Sequence, residues 1–237
     1  MTGKHDNRYK KLFSSPVVVK ELLLNFVNEP WVKNLDYDTL ERIDKSFVTE
    51  EFVNRESDII YRIEFKGEEV FIYLLIEFQS TVDRYMALRM LRYITEFYEY
   101  LVSTKKMKKL PAVFPVMLYN GERKWTSPEE ISNLVERSIP DKYIPSFRYY
   151  KIAENELQKE TLLNIRNVLS AVFYLENSDM SDVAGEIKHI VKLIESERLE
   201  EPGHAAVKHK IYPTLNTGTS CRVVACYDHY NKKAAGT

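Results

Sequence analysis

Two short apolar segments, each with one embedded acid, read Ser57-Asp58-Ile59-Ile60-Tyr61 and Leu75-Ile76-Glu77-Phe78-Gln79. The stretch between them contains Lys66-Gly67-Glu68-Glu69, which is typical of a tight turn. Strand-like segments joined in this way predict an antiparallel β-hairpin, with strands at residues 58–65 and 70–78. An acid inside each strand marks this hairpin as a candidate functional site.

The register of the hairpin decides where the two acids lie. The predicted turn places Phe65 opposite Val70. In that register Asp58 lies directly opposite Glu77, and the Cβ atoms of such neighbours are about 4.5–5.5 Å apart. Gln79 follows Glu77 by two residues and therefore shares its face. The pattern predicts one metal ion held by both carboxylates, whereas a one-residue change in the turn would put the acids on opposite faces.

A structural ion pair is the alternative interpretation of the same residues. Glu77 could pair with Arg84 or Arg89, and Asp58 could cap the start of its strand. The run 70–76 is apolar throughout, as in a strand buried on both faces. Burying the charged carboxylate of an acid at the end of such a strand costs several kcal/mol unless a cation pairs with it. The spacing alone leaves both interpretations open.

Composition limits the class of protein. The 237 residues are 44% hydrophobic, enough for one large domain or two small ones. The net charge of −1 gives no global positive field for nucleic acid, although bound metal and a local basic patch could supply one. No apolar run approaches the roughly 20 residues of a membrane span. With no apolar N-terminal signal and only two cysteines, a cytoplasmic protein without membrane contact is expected.

The elements around the hairpin predict an α/β fold. Ser15 and Pro16 open a first helix as N-cap and first helical residue. A first strand is predicted at 42–49, and a helix at 82–103 follows the capping-box pattern Ser80-x-x-Asp83. The apolar run 112–119 predicts a fourth strand, ended by Asn120-Gly121. The order αβββαβ predicts a mixed central sheet with helices on its faces. Amphipathic helices are predicted near 156–176 and 180–199, and the sequence after residue 200 loses this pattern.

At these same motifs the chain resembles the Rpn family, the PD-(D/E)XK nuclease family transposases. The matching pieces span about residues 5–125 and are His5-Asp6-x-x-Tyr9-Lys10-x-x-Phe13, Ser57-Asp58-Ile59-Ile60-Tyr61, Ile76-Glu77-Phe78-Gln79-Ser80, Arg89-x-x-x-Tyr93 and Pro115-Val116-Met117-Leu118-Tyr119-Asn120-Gly121.

The resemblance implies a restriction-endonuclease-like core at residues 1–125. Residues 126–199 would be a loop and helical elaboration packed on that core, and 200–237 an atypical tail, poorly ordered. It also implies hydrolysis of phosphodiesters in double-stranded DNA with Mg²⁺, or Mn²⁺ as a substitute, in association with mobile elements and recombination.

The implied site falls on Asp58 and Glu77 as metal ligands and Gln79 as the residue that positions water. The chain departs from the nuclease pattern at Ser57, where proline is usual, and at Gln79, where many nucleases have lysine. Asp6 is a candidate for a third metal carboxylate, and so, less strongly, is Glu21. Arg89 is expected to meet a backbone phosphate, or else to pair with Glu77 or Glu96.

Other functions remain open on the sequence. A non-catalytic DNA-binding or scaffold protein could retain the same fold. Strand transfer is disfavoured because nothing in the chain has the pattern of a helix-turn-helix. No residue of the sequence indicates whether the substrate is DNA or RNA. Cleavage of both DNA strands would favour a homodimer, for which the predicted helices at 156–199 are candidate surfaces.

Overall fold

The computed structural model describes residues 9, 12–43, 58–77, 82–105, 107, 109–165 and 167–177. The chain divides into two compact units. Among the described residues, the first unit holds Tyr9 and those within 27–155, and the second holds 12–26 and those within 156–177. The predicted helix at 180–199 and the tail at 200–237 lie outside the described residues.

The first unit is built on a five-stranded mixed sheet. Its strands are β1 (Asp36–Arg42), β2 (Asp58–Phe65), β3 (Glu68–Glu77), β4 (Ala112–Tyr119) and β5 (Tyr150–Ala153). They lie side by side in chain order; β1, β2 and β3 pair antiparallel, and β3, β4 and β5 pair parallel. This architecture confirms the predicted α/β class with a mixed central sheet.

The hairpin forms, but its register differs from the predicted one. Phe65 pairs with Glu68, so the turn consists of Lys66 and Gly67 alone. Both residues have positive φ, 53° and 80°, as a two-residue type I′ turn requires. The twist of that turn matches the twist of the two strands, which favours it over the four-residue turn predicted from Lys66 to Glu69. Strand β3 therefore begins two residues earlier than expected.

The first strand also lies earlier than the predicted 42–49. Strand β1 spans Asp36–Arg42, and residues 44–49 fall outside the described part of the chain. It is an edge strand in which only Leu40 is buried, and its pairing with β2 shifts register between Asp36 and Glu41. A strand this exposed and irregular lacks the apolar alternation that sequence reasoning depends on.

A long helix, α2 (Met86–Lys105), covers one face of the sheet. The phenyl rings of Phe97 and Phe71 contact edge to face at 5.1 Å, and the rings of Tyr93 and Tyr73 lie 6.3 Å apart. Helical spacing predicts one buried stripe of Met86, Met90, Tyr93, Phe97 and Leu101, and all of these are buried except Tyr93, which is half-buried. In β3 every residue from Val70 to Leu75 is buried, as expected for a central strand.

The start of α2 differs from the predicted residue 82. The Asp83 carboxylate accepts a hydrogen bond from the Tyr85 amide at 2.8 Å, and the Asp83 carbonyl accepts one from the Met86 amide. This local turn delays the helix to Met86. Asp83 is thus the residue that caps the helix start, and Ser80, the predicted cap, lies outside the described residues.

Strand β4 has the predicted bounds, and β5 was not predicted. The connection between them contains two short 3₁₀ helices, Ile131–Leu134 and Asp141–Tyr143, and a third, Glu154–Glu156, follows β5. Strand β5 has only four residues, too few to show a period in the sequence.

The second unit contains three helices among its described residues. They are α1 (Pro16–Phe26), α3 (Lys159–Ile165) and α4 (Val168–Glu176). The start of α1 at Pro16 is confirmed, and its Phe26 ring contacts Phe173 of α4 at 5.0 Å.

The single helix predicted at 156–176 is interrupted. The Asn167 side chain accepts a hydrogen bond from the Ser170 amide at 2.7 Å, and the Ser170 hydroxyl accepts one from the Asn167 amide. This reciprocal cap starts a new helix, α4.

None of the described helices is both long and apolar enough to cross a membrane.

Candidate active site

Asp58 opens β2 and Glu77 closes β3, so both lie at the same end of the hairpin, away from its turn. In the backbone register Asp58 pairs with Leu75, not with Glu77 as predicted. The reason is the two-residue turn, which shifts the register by two. A shift of two preserves the face, so positions 58 and 77 remain on one side of the sheet as diagonal neighbours.

That side of the sheet is the one covered by α2. Ile60, Tyr73 and Leu75 share the alternation of positions 58 and 77, and all three belong to the core beneath the helix. Diagonal positions on paired strands are about 7–8 Å apart, within reach of acidic side chains that meet at one ion. The side chains of Asp58 and Glu77 lie outside the described part of the chain, as do residues Asp6 and Gln79.

Glu77 is the last residue of β3, so it lies at the edge of the sheet where the parallel strands β3, β4 and β5 end. It pairs with Tyr119 at the end of β4, and Tyr119 pairs with Ala153 at the end of β5. The residues that follow these last two, Asn120 and Glu154, therefore lie at one edge. Open α/β sheets bind ligands outside the carboxyl ends of their strands.

A polar cluster formed by the buried Tyr9 and Glu154 and the half-buried Asn120 lies at this edge. The Tyr9 hydroxyl donates to the Glu154 carboxylate at 2.9 Å and accepts from the Asn120 side-chain amide at 2.6 Å. The same amide nitrogen lies 3.1 Å from that carboxylate oxygen. Glu154 is 1% exposed, so these donors replace the water that a carboxylate would otherwise require.

Sequence reasoning missed Asn120 and Glu154 as parts of a cluster. The sequence marks Asn120 as a turn residue and as part of a family motif, and it assigns no role to Glu154, which lies just before the helix predicted near 156. The signal that could have found Glu154 is an acid placed directly after the apolar pair Ile152-Ala153, the same pattern that singled out Glu77. Tyr9 links the cluster to the N-terminal segment that carries Asp6.

Arg89, the predicted phosphate contact, forms an ion pair within the protein. Its Nη1 lies 3.2 Å from the Asp83 carboxylate, and 26% of its side-chain surface is exposed. Glu96, one of the predicted partners, pairs with Arg92 at 2.7 Å. The Asp83 pair ties the guanidinium to the residue that caps α2, which favours a structural role for Arg89.

Glu21, the weaker candidate for an extra carboxylate, contacts a helix of its own unit. Its Oε2 lies 3.4 Å from the amide nitrogen of Leu169 in the first turn of α4. A carboxylate there complements the positive end of the helix dipole. This contact supports a structural role for Glu21 in the second unit.

The loop after β4 packs firmly against the sheet edge. The Trp125 ring, 4% exposed, lies 4.8 Å from the Tyr119 ring, and its indole nitrogen donates to the Tyr149 hydroxyl at 3.0 Å. Burial raises the pKa of Tyr149 to about 12. A Cβ at Gly121 would collide with the Tyr119 ring, so the loop needs glycine at this close approach.

Within the described residues, no group of three or more His, Cys, Asp or Glu side chains is placed to hold a metal. That finding does not reach the predicted ligands Asp58, Glu77 and Asp6, for the reason given above. The donor set they would offer consists of carboxylate oxygens, with the Gln79 amide oxygen beside them. Hard oxygen ligands of this kind suit Mg²⁺.

Comparison with known proteins gives one family match and several relatives. The family model described as "Putative transposase, YhgA-like" matches residues 3–204. The chain is 24% identical over 219 residues to the recombination-promoting nuclease RpnD of Escherichia coli O157:H7, covering 83% of this chain and 84% of the relative.

Two further relatives come from Escherichia coli strain K12. Identity is 29% over 122 residues to the recombination-promoting nuclease RpnC, covering 51% of this chain and 40% of the relative. It is 30% over 127 residues to the inactive recombination-promoting nuclease-like protein RpnE, covering 54% of this chain and 41% of the relative. No solved structure matches the chain at a significant level.

Proposed function

Because the chain belongs to the family of YhgA-like putative transposases, we propose that it is a metal-dependent endonuclease that cuts double-stranded DNA in recombination. The predicted resemblance to the Rpn family is confirmed by this match and by relatives named recombination-promoting nucleases. The observation that carries the proposal is the placement of Asp58 and Glu77 on one face of paired strands, at the same end of the hairpin.

The proposed metal is Mg²⁺, with Mn²⁺ as a substitute. Asp58 and Glu77 would hold the ion from neighbouring strands, and their rigid backbone frame fixes the distance between them. The ion, when bound, would lower the pKa of water and offset charge on the phosphate oxygens. The two carboxylates bring the negative charge that a divalent cation needs, and the packed core beneath them keeps that end of the hairpin in place.

Gln79 is proposed to position the attacking water through its side-chain amide. A neutral amide can accept and donate hydrogen bonds but offers no positive charge to the reacting phosphate. Cleavage would therefore depend on metal more strongly than in a nuclease that has lysine at this position. Loss of metal should abolish activity rather than reduce it.

Asp6 is proposed as a third carboxylate at the site. Its support is the contact made by Tyr9, which is three residues away along the chain. The hydroxyl of Tyr9 is held by Asn120, the residue after the register partner of Glu77. Asp6 precedes Tyr9 by three residues, which span at most about 10–11 Å of chain, and this short separation supports Asp6 as a candidate ligand.

The test is cleavage of supercoiled plasmid by the full chain, with Mg²⁺ or with EDTA. Asp58→Asn should reduce the cleavage rate at least about 100-fold, because loss of several kcal/mol of metal stabilisation corresponds to two or more decades of rate. The matched control is Glu64→Gln, an exposed acid near the turn end of the same strand. Equal cleavage by wild type and Asp58→Asn would contradict the proposal.

A second function is favoured by one comparison. RpnE, 30% identical over the shared region, is named as inactive. A chain of this fold could thus bind DNA without cutting it. The same assay distinguishes the two functions, because duplex binding with no cleavage in either Mg²⁺ or Mn²⁺ would identify a binding protein.

A further inference from the structure

We propose that Arg84, Arg123 and Lys124 form a phosphate-binding surface for double-stranded DNA beside the carboxyl end of β3. These three residues are called the basic platform below. This inference deepens the proposed function, and it rests on that function in taking DNA as the ligand. It assigns phosphate binding to residues other than Arg89.

The platform is placed by contacts of the loop after β4. Trp125 directly follows Lys124 and is buried against Tyr119, the register partner of Glu77. Tyr119 belongs to the core on the face covered by α2, the face that positions 58 and 77 share. The loop therefore lies on the side of the sheet that positions 58 and 77 share.

Two hydrogen bonds hold the backbone of the platform. The Ser127 hydroxyl donates to the Arg84 carbonyl at 2.9 Å, which joins the loop to the segment before α2. The Asn155 side-chain amide donates to the Arg123 carbonyl at 2.9 Å. Both contacts use backbone carbonyls, so the side chains of Arg84 and Arg123 do not take part in the anchoring.

The charges of the platform are exposed in the described part of the chain. All three side chains are exposed, and no described residue forms an ion pair with any of them. The arginines that do form ion pairs among the described residues are Arg62, Arg89, Arg92, Arg137 and Arg148. Exposed cations that no described acid pairs with are suited to phosphate oxygens.

The surrounding charge supports this interpretation. Glu122 is the exposed acid of the loop, so the three cations of the platform have one acid beside them in the sequence of the loop. The nearby carboxylate of Asp83 is already paired with Arg89. Cations therefore outnumber acids among these residues although the whole chain carries −1, as expected of a surface that meets a polyanion.

The test measures binding of the full chain to a fluorescent duplex of about 30 base pairs, roughly three helical turns. Binding is measured in EDTA over a range of salt concentrations. The test variant is Arg123→Gln/Lys124→Gln. It should lower the affinity and reduce the slope of log K against log salt by about 2, because each lost phosphate contact removes about 0.9. Arg84→Gln should reduce the slope by about 1.

The control is Arg137→Gln/Arg148→Gln, which removes the same charge from exposed arginines that are ion-paired elsewhere. It should bind like wild type. The proposal is overturned if both double variants lose affinity equally, which would indicate net charge alone, or if the platform variant binds like wild type. Absence of duplex binding by wild type would overturn it too.

The same samples separate this inference from the proposed function. Salt-dependent binding through the platform, with no cleavage when Mg²⁺ is added, would support the platform and contradict the nuclease. Metal-dependent cleavage by a platform variant that binds DNA like wild type would support the nuclease and overturn the platform.

Discussion

The Tyr9 hydroxyl donates a hydrogen bond of 2.9 Å to the carboxylate of Glu154, across 145 positions of the chain. It connects the N-terminal segment to the residue that follows β5. Asn120, which follows β4, bonds to both partners. The cluster therefore ties three distant segments to the edge of the sheet at which Glu77 ends β3.

Tyr9→Phe should destabilise the first unit. The substitution keeps the ring but removes one donor from the buried carboxylate of Glu154, which retains the Asn120 amide, and loss of a hydrogen bond to a charged group costs about 1.5–3 kcal/mol. The free energy of unfolding, measured with urea, should fall by that amount. If Asp6 is held at the site through Tyr9, the Mg²⁺ concentration for half-maximal cleavage should also rise.

The control for Tyr9→Phe is Tyr143→Phe, because Tyr143 is 65% exposed. This variant should unfold and cleave like wild type. Equal stability of Tyr9→Phe and wild type would show that the hydroxyl contributes nothing, and would contradict the role given to the cluster.

Gly67→Ala should weaken the hairpin. Gly67 has a φ of 80°, and an L-residue in that left-handed region costs about 1–2 kcal/mol. A Cβ there meets no atom within 4 Å, so the loss would come from backbone strain rather than from a clash. Gly67→Asn should lose less, since asparagine tolerates this conformation. Thermal unfolding of the two variants checks the order, and a more stable alanine variant would contradict it.

Stability should fall as the pH rises from about 10 towards 12. Burial raises the pKa of Tyr37 and of Tyr149 from 10.0 to about 12, and raises that of Tyr61 as well. A folded-state pKa above the unfolded value gives stability that is complete below pH 10 and is lost as the pH passes through the folded value.

Tyr149→Phe should make this alkaline loss shallower, because one of the buried phenols no longer titrates. It should also lower stability at pH 7, since the Trp125 indole loses its acceptor. Urea unfolding at pH 8, 10 and 11.5 tests both effects. A pH dependence as steep as that of wild type would show that Tyr149 does not contribute.

Strand β4 and the buried stripe of α2 could be predicted because each has a sustained local pattern. Strand β4 is an apolar run closed by Asn120-Gly121, and α2 repeats apolar residues at helical spacing. The register of the hairpin could not be predicted in the same way. It depends on whether Lys66 adopts a positive φ, and the local sequence allowed a longer turn as well.

The other features that could not be predicted depend on contacts between residues far apart in the sequence. Strand β5 has four residues and forms by parallel pairing with a strand about 30 residues away, so no local period marks it. The cluster around Glu154 needs Tyr9 and Asn120 from distant segments. In contrast, the prediction that positions 58 and 77 share one face agrees with the backbone register, since a register error of two preserves strand alternation.

The most direct test of the hairpin metal site is Mn²⁺ binding, followed by electron paramagnetic resonance on wild type and on Asp58→Asn/Glu77→Gln. The control is Glu41→Gln/Glu64→Gln, which removes two exposed acids from the same part of the sheet. We predict that wild type and the control bind Mn²⁺ at a site that the Asp58→Asn/Glu77→Gln variant lacks. Equal Mn²⁺ binding by all three proteins would contradict the account.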